Sequence, residues 1–237
     1  MPIRCILFDL DGTLLPMDQK AFVKIYFGGI AKKLAPHGYD PEVLVKAIWG
    51  GIAAMTANDG TCTNETRFWQ VFRSVFGDRV ENDLCYFNEY YEQNFEQVRA
   101  VCGCDPKAAE TVNELKRRGY RVALATNPVF PAIATRKRMS WGGFVPEDFE
   151  VVTSFENSTY CKPTNGYYRE VAAKLGARPE ECLMVGNDIS DDMPAAEIGM
   201  KVFLLTPCLI AKEGENPDRY PNGGFEELMR YIDSLEK

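Results

Sequence analysis

The chain has 237 residues, 46% of them hydrophobic and 26% charged, which is the makeup of a folded globular protein with apolar mass for one large core, or a core and a smaller insert. Its 27 basic and 34 acidic residues leave a formal charge of −7, and the short basic runs Lys116-Arg117-Arg118 and Arg136-Lys137-Arg138 lie in helical patterns, so nucleic acid is disfavoured as a partner. No apolar stretch reaches the roughly 18 residues of a membrane span, and the N-terminus enters an apolar run with no room for a signal peptide; a cytoplasmic protein without membrane attachment is expected.

That first run, Arg4-Cys-Ile-Leu-Phe8, predicts a strand buried on both faces, as in a parallel sheet. It ends in Asp9-Leu10-Asp11-Gly12-Thr13. Carboxylates at i and i+2 of an extended segment project to the same side and repel, which calls for a cation or a proton. An Asp-Gly turn accounts for Asp11 and Gly12 but leaves Asp9 unexplained.

From Leu15 to Val101 the periodicity is helical. Phe22, Ile25, Tyr26, Ile30 and Leu34 mark one helix, and Pro41 opens a second that is expected to end near Gly50-Gly51. A third follows Asn64 and Glu65 and stops at Gly77; a fourth carries Leu84, Phe87, Tyr90, Tyr91 and Phe95. Most of these aromatics read as the core of a small bundle. The pattern then alternates. A helix begins at Asp105-Pro106, followed by a strand over 120–126, a helix over 131–141, a strand over 149–153 and a helix over 167–175. A strand over 182–185, a helix ending at Gly199, a strand over 201–205 and a C-terminal amphipathic helix complete it. Alternation of this kind specifies a doubly wound parallel sheet, whose ligands bind beyond the carboxyl ends of the strands.

The polar residues at those ends are few. Thr126-Asn127 offers a hydroxyl and amides before a helix, a natural cradle for an oxyanion or phosphate. Lys162 precedes Pro163. Gly186-Asn187-Asp188-Ile189-Ser190-Asp191-Asp192 puts three acids after a buried strand, suiting a hard cation with oxygen ligands. The eight cysteines form no Cys-x-x-Cys pair and read as reduced structural thiols. With one histidine, His37, in a Pro-His-Gly loop, a multi-histidine metal site is excluded.

Asp9-Leu-Asp11-Gly-Thr13, Thr126-Asn127, Lys162-Pro163 and Gly186-Asn187-Asp188 to Asp192 resemble, in order, the four motifs of the haloacid dehalogenase (HAD)-like hydrolases, and the helical insert looks like that family's C1-type cap. The resemblance implies an α/β catalytic core over 1–14 and 104–237, with a helical cap over 15–103. It also implies a magnesium-dependent phosphohydrolase acting on small-molecule phosphate monoesters, working as a monomer or small homo-oligomer. Asp9 would be the nucleophile forming an aspartyl-phosphate, and Asp11 the acid and then the base. Asp9, Asp11 through its main-chain carbonyl, and Asp188 would hold Mg2+; Thr126, Asn127 and Lys162 would hold the phosphate. Many relatives have Gly-Asp where this chain has Gly186-Asn187, which leaves Asp188 as the expected ligand on an i, i+4 helical pair with Asp192. Asp192, Asn187 and Asp191 stand as outer-shell or alternate ligands. The family's dehalogenases lack the second acid, so Asp11 favours phosphoryl transfer. A phosphomutase of the same family is the nearest alternative, and a non-catalytic phosphate-binding or signalling module the more distant one.

Overall fold

The computed structural model describes residues 2–236. Six parallel strands form one sheet in the order β3-β2-β1-β4-β5-β6. They are β1 (Cys5–Phe8), β2 (Arg121–Leu124), β3 (Val151–Val152), β4 (Cys182–Gly186), β5 (Lys201–Leu205) and β6 (Asn222–Gly223). In this doubly wound order the chain reverses direction across the sheet between β1 and β4, and the crevice opens at that switch point.

The buried strands follow from their side chains. In β1, Ile6 and Phe8 face one layer and Cys5 and Leu7 the other, all buried. On the Ile6 side pack α5 (Pro106–Arg117), through Val112 and Leu115, and α8 (Phe225–Leu235), through Leu228 and Ile232. On the Leu7 side packs α7 (Asn165–Lys174), through Tyr167, Tyr168 and Val171. A sheet covered on both faces buries its strands as continuous apolar runs. All eight cysteines are free thiols.

Between β1 and α5 run α1 (Gln19–Leu34), α2 (Pro41–Thr56), α3 (Asn64–Phe76) and α4 (Arg79–Glu89). Asp18, Asp40 and Thr63 cap the first three by accepting main-chain amides, and Asp105 does the same for α5. After α4 the chain makes a π-helical turn, Tyr90–Asn94, and a 3-10 stretch, Phe95–Val101. The two connections to the core lie side by side: Met17 bridges Cys102 antiparallel, and Gly103 N donates to Pro16 O at 2.7 Å.

Several expectations need correction. Helix α2 runs past Gly50-Gly51 to Thr56, because Gly51 lets the Phe68 ring of α3 lie against it; a Cβ there would sit 2.4 Å from that ring. The strand expected over 149–153 shrinks to Val151–Val152, a half-buried edge element. The Asp188–Asp192 pair is not on a following helix. One turn, Asp192 N to Asp188 O at 2.9 Å, leads into a 3-10 segment, Met193–Ile198, with Pro194 in its first turn. No helix among the described residues is long and apolar enough to cross a membrane.

Candidate active site

Four segments meet at the carboxyl ends of β1, β2 and β4. Asp9 leaves β1 with its amide bonded to Val185 O at 2.9 Å, and Gly12 N then donates to Leu15 O at 2.8 Å, so the chain turns sharply behind the two acids. Gly12 is required there twice over. Its φ is +86°, and a Cβ would come within 2.3 Å of the Asn187 amide. Asn187 accepts from the Thr13 hydroxyl at 3.0 Å and donates to Cys208 O at 2.7 Å. Asn187 is thus a brace between the first and fourth motifs, with oxygen and nitrogen both engaged.

Lys162 lies at the centre, 2% exposed. Its ammonium donates to Asp9 Oδ1 at 2.8 Å and to Asp192 Oδ1 at 2.6 Å. Burial alone would lower the lysine; the carboxylates of Asp192 and Asp9 outweigh it and hold the ammonium well above its ordinary value. Asp192 spends its other oxygen on the Asp188 amide at 3.0 Å. Asp188 Oδ1 accepts from the amides of Ser190 and Asp191 at 2.8 and 3.1 Å. Burial, then the charge of Asp191, raises the Asp188 carboxyl, and Asp9 adds to the shift.

Asn127 joins the second motif to the third and fourth. Its oxygen accepts from Lys162 N at 3.3 Å, and its amide donates to Asp191 Oδ2 at 3.3 Å. Thr126 is buried beside it, its carbonyl held by Tyr167 and Thr153 hydroxyls at 2.8 and 2.7 Å. Among the described residues no three His, Cys, Asp or Glu side chains form a metal cluster. The set implied for magnesium uses two carboxylates, Asp9 and Asp188, and a main-chain carbonyl. All are hard oxygen donors in a region of surplus negative charge, which fits that ion.

Two residues at the site escaped sequence reasoning. Arg138, on α6 (Ala132–Trp141), is 1% exposed and forms an ion pair with Asp11 Oδ2. Its guanidinium lies over the Phe130 ring, 4.5 Å from the centroid. Asp11 Oδ1 is buried with no partner. Burial raises the Asp11 carboxyl to about 6, with Arg138 pulling down and Asp9 pushing up. A cation on the buried face of a helix, four residues from Ala134, was the available signal. Asn64, fully buried on α3, reaches out of the insert: its amide donates to Pro128 O and Tyr160 O, both at 3.2 Å, and to Cys161 Sγ at 3.3 Å. It ties the insert to the loops bearing Asn127 and Lys162.

Comparisons with known proteins bear on the family and the fold. Over 221 residues the chain is 25% identical to pyrophosphatase PpaX of Bacillus cereus (strain AH820), covering 92% of this chain and 91% of that one. A HAD phosphatase from Thermococcus onnurineus superimposes with a TM-score of 0.57 at 19% identity, covering 97% of this chain and 98% of that one. A β-phosphoglucomutase from Clostridium difficile gives 0.56 at 15% identity, covering 98% and 96%. The model of the haloacid dehalogenase-like hydrolases matches residues 3–198, and the chain belongs to that family.

Proposed function

We propose that the protein is a magnesium-dependent phosphohydrolase acting on small-molecule phosphate monoesters through an aspartyl-phosphate. The observation that carries this reading is the Asp9–Lys162 pair beside Asp11. Asp9 has one oxygen held by the ammonium, and its other takes no hydrogen bond among the described residues. A carboxylate fixed on one side and open on the other is a positioned nucleophile. Asp11, raised to about 6, carries a proton for part of the neutral range and can pass it to a departing alkoxide. Asn127 and Lys162 supply donors where equatorial phosphoryl oxygens would lie. Asp9, Asp188 and the Asp11 carbonyl would hold the magnesium ion, which when bound offsets charge on the transferring group.

In the same reading, residues 1–14 and 104–237 are the catalytic core and 15–103 the substrate-selecting cap, since the four motifs lie outside the helical insert. The likeness to a β-phosphoglucomutase keeps phosphomutase as the second reading. The Bacillus relative is a pyrophosphatase by name, so pyrophosphate is a further substrate to include.

The test is phosphate release from p-nitrophenyl phosphate with magnesium, with and without excess chelator, for wild type and Asp9→Asn. Loss with chelator and loss in the variant are expected. Undiminished turnover in a folded Asp9→Asn protein would place the nucleophile elsewhere, and full activity in chelator would remove the metal. A labelled phosphate that reappears on a sugar hydroxyl instead of in solution would favour the mutase.

A further inference from the structure

Between the helical insert and the sheet-end loops lies an enclosed cavity of about 40 Å³, walled chiefly by Ile48, Ile52, Phe68, Trp69, Tyr91 and Phe130. Among the described residues that line it none carries a charge, and one, Asn88, carries an amide. Of its few polar tips, the hydroxyls of Tyr26 and Tyr91 bond to each other at 2.8 Å. Both rings sit in an aromatic cluster, Tyr26 lying 5.2 Å from Phe130 and Tyr91 5.6 Å from Phe95. Phe130 is also the platform under the Arg138 guanidinium, and Arg138 grips Asp11. A chain of contacts therefore links the Asp11 carboxyl, through Arg138 and the Phe130 ring, to the wall of an apolar chamber.

Resting on the phosphohydrolase reading, in which the scissile oxygen departs beside Asp11, we propose that this chamber is the leaving-group subsite. It takes the phosphate monoester of an alcohol with an apolar body, branched aliphatic or aromatic. A polyhydroxylated sugar would strand most of its hydroxyls against walls that offer few partners. A second phosphate would enter a chamber whose nearby cation, Arg138, is committed to Asp11. Dry apolar walls with a few polar groups at one end are the usual build of a site for an apolar ligand. The present void is smaller than a phenyl ring. Ile52, Phe68 and Trp69 are half-buried, so an occupant would be admitted by displacing these side chains where insert meets core.

The experiment is isothermal calorimetry of the full chain with magnesium against alkylphosphonates from methyl to hexyl, benzylphosphonate, methylenediphosphonate and glucose 6-phosphate. Affinity is expected to rise about fourfold per methylene until the chamber fills, with benzylphosphonate well above glucose 6-phosphate. Ile52→Gln should cut that gain to below about twofold per methylene by putting an amide in the wall. Trp69→Gln, at a half-buried position, decides the point if the first variant fails to fold by thermal melting. A flat series, tighter binding of methylenediphosphonate or the sugar phosphate, or a chain-length gain intact in both folded variants would overturn the assignment. Acetyl phosphate, which has almost no body, reports separately on the core. If wild type with magnesium does not hydrolyse it, the phosphohydrolase reading fails, while the phosphonate series still decides what the chamber binds.

Discussion

Arg138 holds Asp11 by one oxygen only: the guanidinium closes on Oδ2, and Oδ1 is buried without a partner. The carboxyl is thus caught between burial, which favours its neutral form, and a cation, which favours its charged form.

Removing that cation should move the balance in a known direction. In Arg138→Met the burial remains and the main downward pull is lost, so Asp11 should hold its proton to higher pH. The alkaline limb of kcat/KM against pH is expected to shift upward by about one unit. A limb that stays in place would show that Asp11 is not the group it reports.

Asp11 should also make stability depend on pH. Its folded value of about 6 lies above the unfolded value, so the folded state favours the neutral acid. The carboxyl then costs nothing below about pH 4 and costs progressively more as pH rises through 6, reaching about 3 kcal/mol. Asp11→Asn, neutral throughout, should melt increasingly above wild type between pH 4.5 and 7.5, a difference read by calorimetry. A constant difference would contradict the raised value. The same variant is expected to lose roughly 10²–10⁴-fold in turnover, and more on alkyl than on aryl phosphates, because aryl leaving groups need little protonation.

Lys162→Met would leave Asp9 and Asp192 facing each other in a buried site without their shared cation. Loss of about 3–5 kcal/mol is expected by urea denaturation at pH 7. The slope with pH separates variant from parent. The wild-type lysine contributes fully at every pH below its unfolded value, about 10.4. Wild type already gains stability as pH falls through 6 because of Asp11; the variant should gain more steeply from 7 to 5, since protonating either carboxyl also relieves the repulsion. Equal slopes in that range would argue against the triad.

Asn64→Ala would leave two loop carbonyls short of a donor and should cost about 2 kcal/mol. The sharper readout is amide hydrogen exchange. Protection should fall first in the loops over 127–131 and 158–162, ahead of the sheet. Uniform loss across the molecule would show that Asn64 contributes only to general packing.

The central strands were legible because β1, β4 and β5 are apolar runs covered on both faces, and the residues at their ends are polar for no local reason. Elements whose definition is tertiary were not. Strand β6 consists of Asn222 and Gly223, which carry no apolar signal and pair only because β5 lies beside them. The end of α2 was set early at a glycine pair, where Gly51 is the seat of Phe68 from another helix. Arg138 read as one member of a short basic run in a helical pattern, because its partner is 127 residues away. Asn64 looked like a helix start; its partners on other loops become visible only once insert and sheet are together.

The seam where Pro16 and Gly103 are joined by one hydrogen bond has an architectural consequence. The chain leaves the sheet and returns to it at a single point, so the crossover from β1 to α5 is already closed before any of the helices is counted. The cost of closing that loop is met at the seam and grows only slowly with whatever is threaded beyond it. Selection can therefore lengthen, shorten or exchange the roof over the crevice without disturbing strand register.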